Sequence, residues 1–196
     1  YHQKNTFGNS LILSTMERYF KVPQTPEDLL YLSQQQQALA IKTASEAWRP
    51  HSPYCRGILF WQLNDNWPVA SWSSIEYGGK WKALQYHAKR FFAPVAVMAK
   101  PEGEKLAVWC VNDHPVARSA AVTVERWAFD GQQPLESWST NLVLAADRAT
   151  RIESFAPVAE PTFLVLKVKT EDGEHINERL FKFYKDSPIG AAAIKT

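Results

Sequence analysis

Apolar residues along this chain keep one period up to Pro94 and a different one beyond it. From Asn9 to Phe20, an Asn or Ser cap precedes Leu11, Leu13, Met16, Tyr19 and Phe20 near helical spacing, which predicts a short helix. Thr25, Pro26, Glu27 and Asp28 form a stronger start: a cap, a proline at the first helical position and two acids where the helix dipole favours them. The helix they open should run to about Trp48 and bury Ala38, Ile41, Ala44 and Trp48, with the glutamines from Gln34 to Gln37 as a solvated or interfacial turn. A loop from Arg49 to Pro53 leads into Arg56 to Pro68. There Ile58, Leu59, Phe60, Trp61 and Leu63 leave no solvent-facing alternation, the pattern of a parallel strand covered on both faces. Gln62, Asn64 and Asp65 close that strand, and the carboxyl end of a parallel strand is where binding and catalytic groups collect. A core strand with a capped turn is the plainer alternative. Asn64 to Lys80 is a long aromatic loop, and long loops inside compact domains are usually functional. Trp81, Leu84, Ala88, Phe91 and Phe92 then resume helical spacing, and this last helix should pack on the strand before Pro94 ends it.

Past a boundary placed at residues 94 to 96, short runs with period two predict seven strands: Val95 to Ala99, Lys105 to Val111, Ser119 to Trp127, Leu135 to Ser139, Thr150 to Ser154, Thr162 to Thr170 and Ile176 to Tyr184. Their number and spacing match an immunoglobulin-like sandwich. Asp130 with Gly131, and Asp172 with Gly173, should supply the positive backbone angles of tight hairpins. In the last hairpin Leu164, Leu166 and Val168 face the core while Lys167 and Lys169 face water. Residues 186 to 196, with Pro188, Gly190 and three alanines, read as a linker toward a further domain.

Composition narrows the function classes. With 22 basic and 20 acidic residues spread along the chain and no basic run, a nucleic-acid partner has no electrostatic footprint. No apolar run approaches the roughly 18 residues of a membrane span. Cys55 and Cys110 lack metal-ligand spacing and fall in different segments, so they read as small apolar residues rather than a bridge or zinc site. His51, His87 and His114 show no partner spacing for metal or triad chemistry.

The stretches RGILFWQLNDNWP from Arg56, SWSSIEYGGKWKALQYHAKRFFAPV from Ser71 and YLSQQQQALAIKTASEAWR from Tyr31 resemble the β-mannosidases of glycoside hydrolase family 2, over about Met16 to Pro94. The resemblance implies a multidomain α/β plus all-β fold. Residues 1–95 would be the tail of a TIM (β/α)8 barrel, 96–185 an immunoglobulin-like β-sandwich and 186–196 a linker, the whole being a fragment of a longer retaining, exo-acting hydrolase. It implies no cofactor, a mannose-containing oligosaccharide as substrate, the rest of its own enzyme as partner, and a secreted, periplasmic or lysosome-like setting. The family's two catalytic glutamates lie on earlier barrel strands, and no residue here aligns with either, so the chain alone should be inactive.

Asp65 and Glu76 are the only carboxylates near the presumed site, and neither is assigned as acid or nucleophile. Asp65 either bonds a sugar hydroxyl or, more commonly for a loop aspartate, its own turn. Trp61 is the substrate-platform tryptophan that the resemblance implies, since a flat aromatic face packs on the C–H surface of a pyranose. Alternation sets Trp61 and Gln62 on opposite faces, so one of the two points into the barrel mouth. Asn64 and Trp67 are further substrate-binding candidates, for hydroxyl bonding and for walling an outer subsite. A second function from another class is a carbohydrate-binding or structural sandwich, in which Trp109, Trp127 and Trp138 would have to form a solvated, coplanar platform.

Overall fold

The computed structural model describes residues 4–181, which form two compact units. One holds residues 4–43 and 59–89; the other holds 44–58 and 90–181. The predicted end of the last strand at Tyr184 and the linker at 186–196 lie outside the described residues.

In the first unit, helix α1 spans Gly8–Met16 rather than Asn9 to Phe20. Its start is set by a turn on Asn5, whose side chain accepts the Phe7 N–H at 2.9 Å and whose carbonyl accepts that of Gly8 at 3.1 Å, so neither Asn9 nor Ser10 caps it. It ends where the N–H groups of both Tyr19 and Phe20 turn back onto the Met16 carbonyl. Helix α2 spans Pro26–Trp48 as expected, with the Thr25 hydroxyl accepting the Asp28 N–H at 3.1 Å. Met16, Phe20 and Leu32 are buried together, with Leu29 and Leu39 packed on them. The glutamine run is not a turn: it continues the helix uninterrupted and half-buried. The buried stripe also differs from expectation. Ala38 is buried as expected, but Trp48 is 50% exposed, and Lys42, Ser45, Glu46 and Arg49 are buried instead. These positions keep helical spacing, and past Ala38 polar residues occupy the inward phase. Helix α3 spans Ala83–Phe91 and buries Leu84, Ala88 and Phe91.

The second unit is the β-sandwich, two antiparallel sheets as the period-two pattern predicts. Its strands are β1 Val95–Glu102, β2 Lys105–Asn112, β3 Arg118–Ala128, β4 Glu136–Leu144, β5 Arg148–Phe155, β6 Thr162–Thr170 and β7 Gly173–Leu180. One sheet has the order β1-β2-β5 and the other β4-β3-β6-β7. Val97, Leu106, Val108 and Cys110 of the first meet Val122, Val124, Leu164, Leu166 and Val168 of the second in one continuous core. Each such side chain contributes on the order of 1.5–3 kcal/mol by leaving water. Burial pushes the Cys110 thiol up to about 12, as expected of a cysteine acting as an apolar core residue. In the last hairpin Leu164, Leu166 and Val168 point inward, and Lys167 points outward to Glu125 at 2.9 Å. Its loop residues are Glu171 and Asp172, and Gly173, at φ +137°, comes directly after them. Asp130 and Gly131 do not make a tight hairpin: they lie in a longer link between β3 and β4 that closes with Leu135 N–H on the Arg126 carbonyl at 2.8 Å. The other two-residue loop comes after Glu102, where Gly103 takes φ +62°.

The second face of the three-stranded sheet is covered within the same unit. Ala96, Met98 and Val111 form a smaller cluster there with Trp109 and Ala149, and the 3-10 turn Arg49–His51 that continues α2 packs on β2 and β5. Two polar ties fix this layer: Glu46 accepts from Asn177 Nδ2 at 2.7 Å, and buried Arg49 bonds the Phe91 carbonyl and Asp113.

Candidate functional site

The stretch expected to be a buried barrel strand is not one among the described residues. Arg56 to Leu63 makes no ladder, and Leu59 is 99%, Trp61 74% and Leu63 56% exposed. A central parallel strand needs a hydrogen-bonding neighbour on each edge, whereas among the described residues this segment's backbone bonds to Ser74 and Ile75, at its carboxyl end.

From Asn64 onward the chain is held by its own bonds. Asn64 bridges Ile75 in parallel and Ile75 bridges Trp81 antiparallel, so the long loop folds back on its own base. The Ile75 N–H bonds the Leu63 carbonyl at 2.8 Å, and the Ser74 hydroxyl donates to the same carbonyl at 3.0 Å. Asp65 is the centre of this loop. It is 6% exposed, with Ser71 Oγ donating to Oδ1 and Ser73 Oγ to Oδ2, each at 2.5 Å, and the Lys82 ammonium lying 3.3 Å from Oδ2. Lys82 also donates to Ser73 Oγ at 2.7 Å. Burial alone would push the Asp65 carboxyl up; the hydroxyls of Ser71 and Ser73 and the charge of Lys82 together outweigh it and hold the group below the usual carboxylate range. Asp65 is therefore an ionised acceptor bonded to its own loop.

The other site candidates sit on that framework. Trp61 presents its ring to solvent, while Gln62 is half-buried and donates to the Asn64 carbonyl at 3.1 Å. Asn64 is exposed and Trp67 is 41% exposed, with the Lys4 ammonium 5.4 Å from its ring centre. Trp72 and Tyr77 add further exposed aromatic surface. Two of the glutamines that the sequence pattern assigned to a solvated or interfacial turn matter here. Gln37 Nε2 donates to the Trp72 carbonyl at 2.7 Å, and Gln34 Oε1 accepts the Ala83 N–H at 3.1 Å at the start of α3. Their spacing of three on one helix face was the available signal. Among the described residues, no group of three or more metal-ligating side chains converges, and no helix is long and apolar enough to cross a membrane.

The three sandwich tryptophans do not form a platform. Trp138 points into the core against Phe155, ring centres 6.1 Å apart. Trp109 lies on the opposite face of the three-stranded sheet under Lys100, 5.2 Å away. Trp127 lies on the outer face of the other sheet, donating to Glu125 at 3.1 Å. Three rings on three faces cannot be coplanar.

Residues 104–186 match the Mannosidase Ig/CBM-like domain family. A β-mannosidase of Capra hircus is 40% identical over 147 residues, which cover 68% of this chain and 17% of that protein. The structure of a β-D-mannosidase from Dictyoglomus thermophilum aligns with TM-score 0.84 at 29% identity, over 96% of this chain and 24% of that one. The exo-chitosanase CsxA of Amycolatopsis orientalis aligns with TM-score 0.74 at 16% identity, over 85% of this chain and 21% of that one, a likeness of fold alone. Fold and matches define an immunoglobulin-like sandwich of the kind found in mannosidases, preceded in sequence by helices and an aromatic loop. Within that class the chain belongs with the β-mannosidases of glycoside hydrolase family 2, and it spans less than a quarter of the length of the relatives named.

Proposed function

We propose that this chain is the substrate-wall and C-terminal part of a retaining, exo-acting β-mannosidase that removes terminal β-D-mannose from oligosaccharides. On this reading residues 1–95 complete a TIM barrel, 96–185 are its accessory sandwich and 186–196 lead to a further domain. The observation that carries it is Trp61, a large ring 74% exposed at the base of a loop pinned by a buried carboxylate. The exposed side chains of Leu59, Trp61 and Leu63 support it as well, because such apolar surface fits a strand covered by the rest of the enzyme. Trp61 offers a face to the sugar, Asn64 bonds hydroxyls and Trp67 walls an outer subsite. Asp65 contributes by holding the loop.

Retaining hydrolysis needs two carboxyl groups about 5–5.5 Å apart, one protonated and one nucleophilic. Asp65 is buried and held by Ser71, Ser73 and Lys82, so on this reading the acid and the nucleophile come from the rest of the enzyme. The chain alone should therefore leave an aryl β-mannoside unhydrolysed, whereas the complete enzyme releases mannose with retention of configuration. Turnover by the purified chain, or an inert complete enzyme, would overturn the proposal.

A further inference from the structure

The sandwich unit contains a cleft of about 290 Å³ lined by its own residues. Two ion pairs border it. Arg49 reaches Asp113 Oδ2 at 2.5 Å while its other terminal nitrogen donates to the Phe91 carbonyl at 2.7 Å, and Arg56 pairs with Asp147 Oδ1. Two cations and two anions cancel, so the cleft exerts little net pull on an ionic ligand. Each aspartate engages its arginine through one oxygen, and the side chains of Asp113 and Asp147 are 50% and 47% exposed. An oxygen on each therefore remains to accept from a ligand. A carboxylate beside a guanidinium suits adjacent hydroxyls, one donating to the oxygen and its neighbour accepting from the N–H. Phe92, 40% exposed, and Ile58 supply the apolar side of the same cleft.

The frame is rigid. The Arg49 side chain is 7% exposed and held by two bonds, and Asp147 is fixed at φ 52° with its N–H on the His114 carbonyl at 2.9 Å. The volume falls just below the range for drug-sized ligands, roughly 300–1,000 Å³, which suits a single ring. A pyranose is a neutral ligand of this kind, with adjacent hydroxyls on one edge and a C–H face on the other. We propose that this cleft is a second carbohydrate site, taking one neutral hexopyranose residue. It does not rest on the function proposed above and would stand if that failed.

The test is an amide-resolved NMR titration of the 196-residue chain with methyl β-D-mannopyranoside, alongside glycerol and glucuronate. Saturating shifts are expected at Arg56, Phe92, Asp113 and Asp147, at least tenfold weaker in apparent affinity for glycerol and for glucuronate. Asp147→Asn and Phe92→Leu should each weaken binding at least tenfold, with the β6 amides reporting that the sandwich stays folded. Absence of saturating shifts at those four residues would overturn the site. So would shifts confined to the Trp61 to Trp81 loop, equal binding of glycerol or glucuronate, or full affinity in both folded variants.

Discussion

At Asp65 a carboxylate in the most site-like stretch of the chain is bonded to its own loop by two serines and a lysine. Part of this was legible: loop aspartates usually bond their own turn, and Ser71 and Ser73 come within reach a few residues along the chain. Lys82 was not, because it sits across a bridge that only the folded loop creates. Asp65→Ala should weaken the loop by about 3 kcal/mol, since it leaves the Lys82 charge, 12% exposed, without its partner. Hydrogen exchange at Ser73 and Ser74 would read this as faster opening. The folded carboxyl lies below its unfolded value of about 3.9. Its contribution is therefore complete above that value and is lost as pH falls through the folded one. Asp65→Asn should remove this acid dependence of loop exchange; an unchanged acid slope would show that the carboxylate does not hold the loop.

At the scale of elements, the sandwich strands were readable because alternation and burial coincide along β3 and β6, where the core side chains are apolar and their neighbours polar. Helix α2 was readable from its start, but not its inward face, since Lys42, Ser45, Glu46 and Arg49 occupy buried positions that a hydrophobic count assigns to solvent. The segment from Ile58 to Leu63 carries the composition of a buried strand, and composition cannot supply the two neighbours a strand needs. Two measurements check these assignments. Thr25→Ala should cost about 1 kcal/mol in urea unfolding, because it frees the Asp28 N–H at the start of α2. Leu166→Ala should cost about 2–5 kcal/mol, since its side chain is fully buried between the sheets and leaves a cavity. A smaller loss at Leu166 than at Thr25 would contradict the assignment of the core.

For the molecule as a whole, the relatives' length and the exposed aromatic loop point the same way, and Trp61 is where that reading can be tried. In the complete enzyme Trp61→Ala should lower kcat/KM more than tenfold, equivalent to about 1.4 kcal/mol or more of transition-state stabilisation, by removing a stacking face and a wall against water. In this chain the ring is 74% exposed, so the same substitution should change the stability of the isolated chain by less than about 0.5 kcal/mol. A large loss of activity with little loss of chain stability is the signature of a substrate wall. If neighbouring strands of the complete enzyme bury the ring instead, Trp61→Ala would destabilise it by about 3–5 kcal/mol. Trp61→Phe separates the two causes, because it keeps most of the apolar volume and shrinks the face offered to the sugar. A Phe variant that folds normally yet loses activity supports the platform. One that folds normally and keeps full activity transfers the role of substrate wall to Trp67, the next exposed ring along the loop.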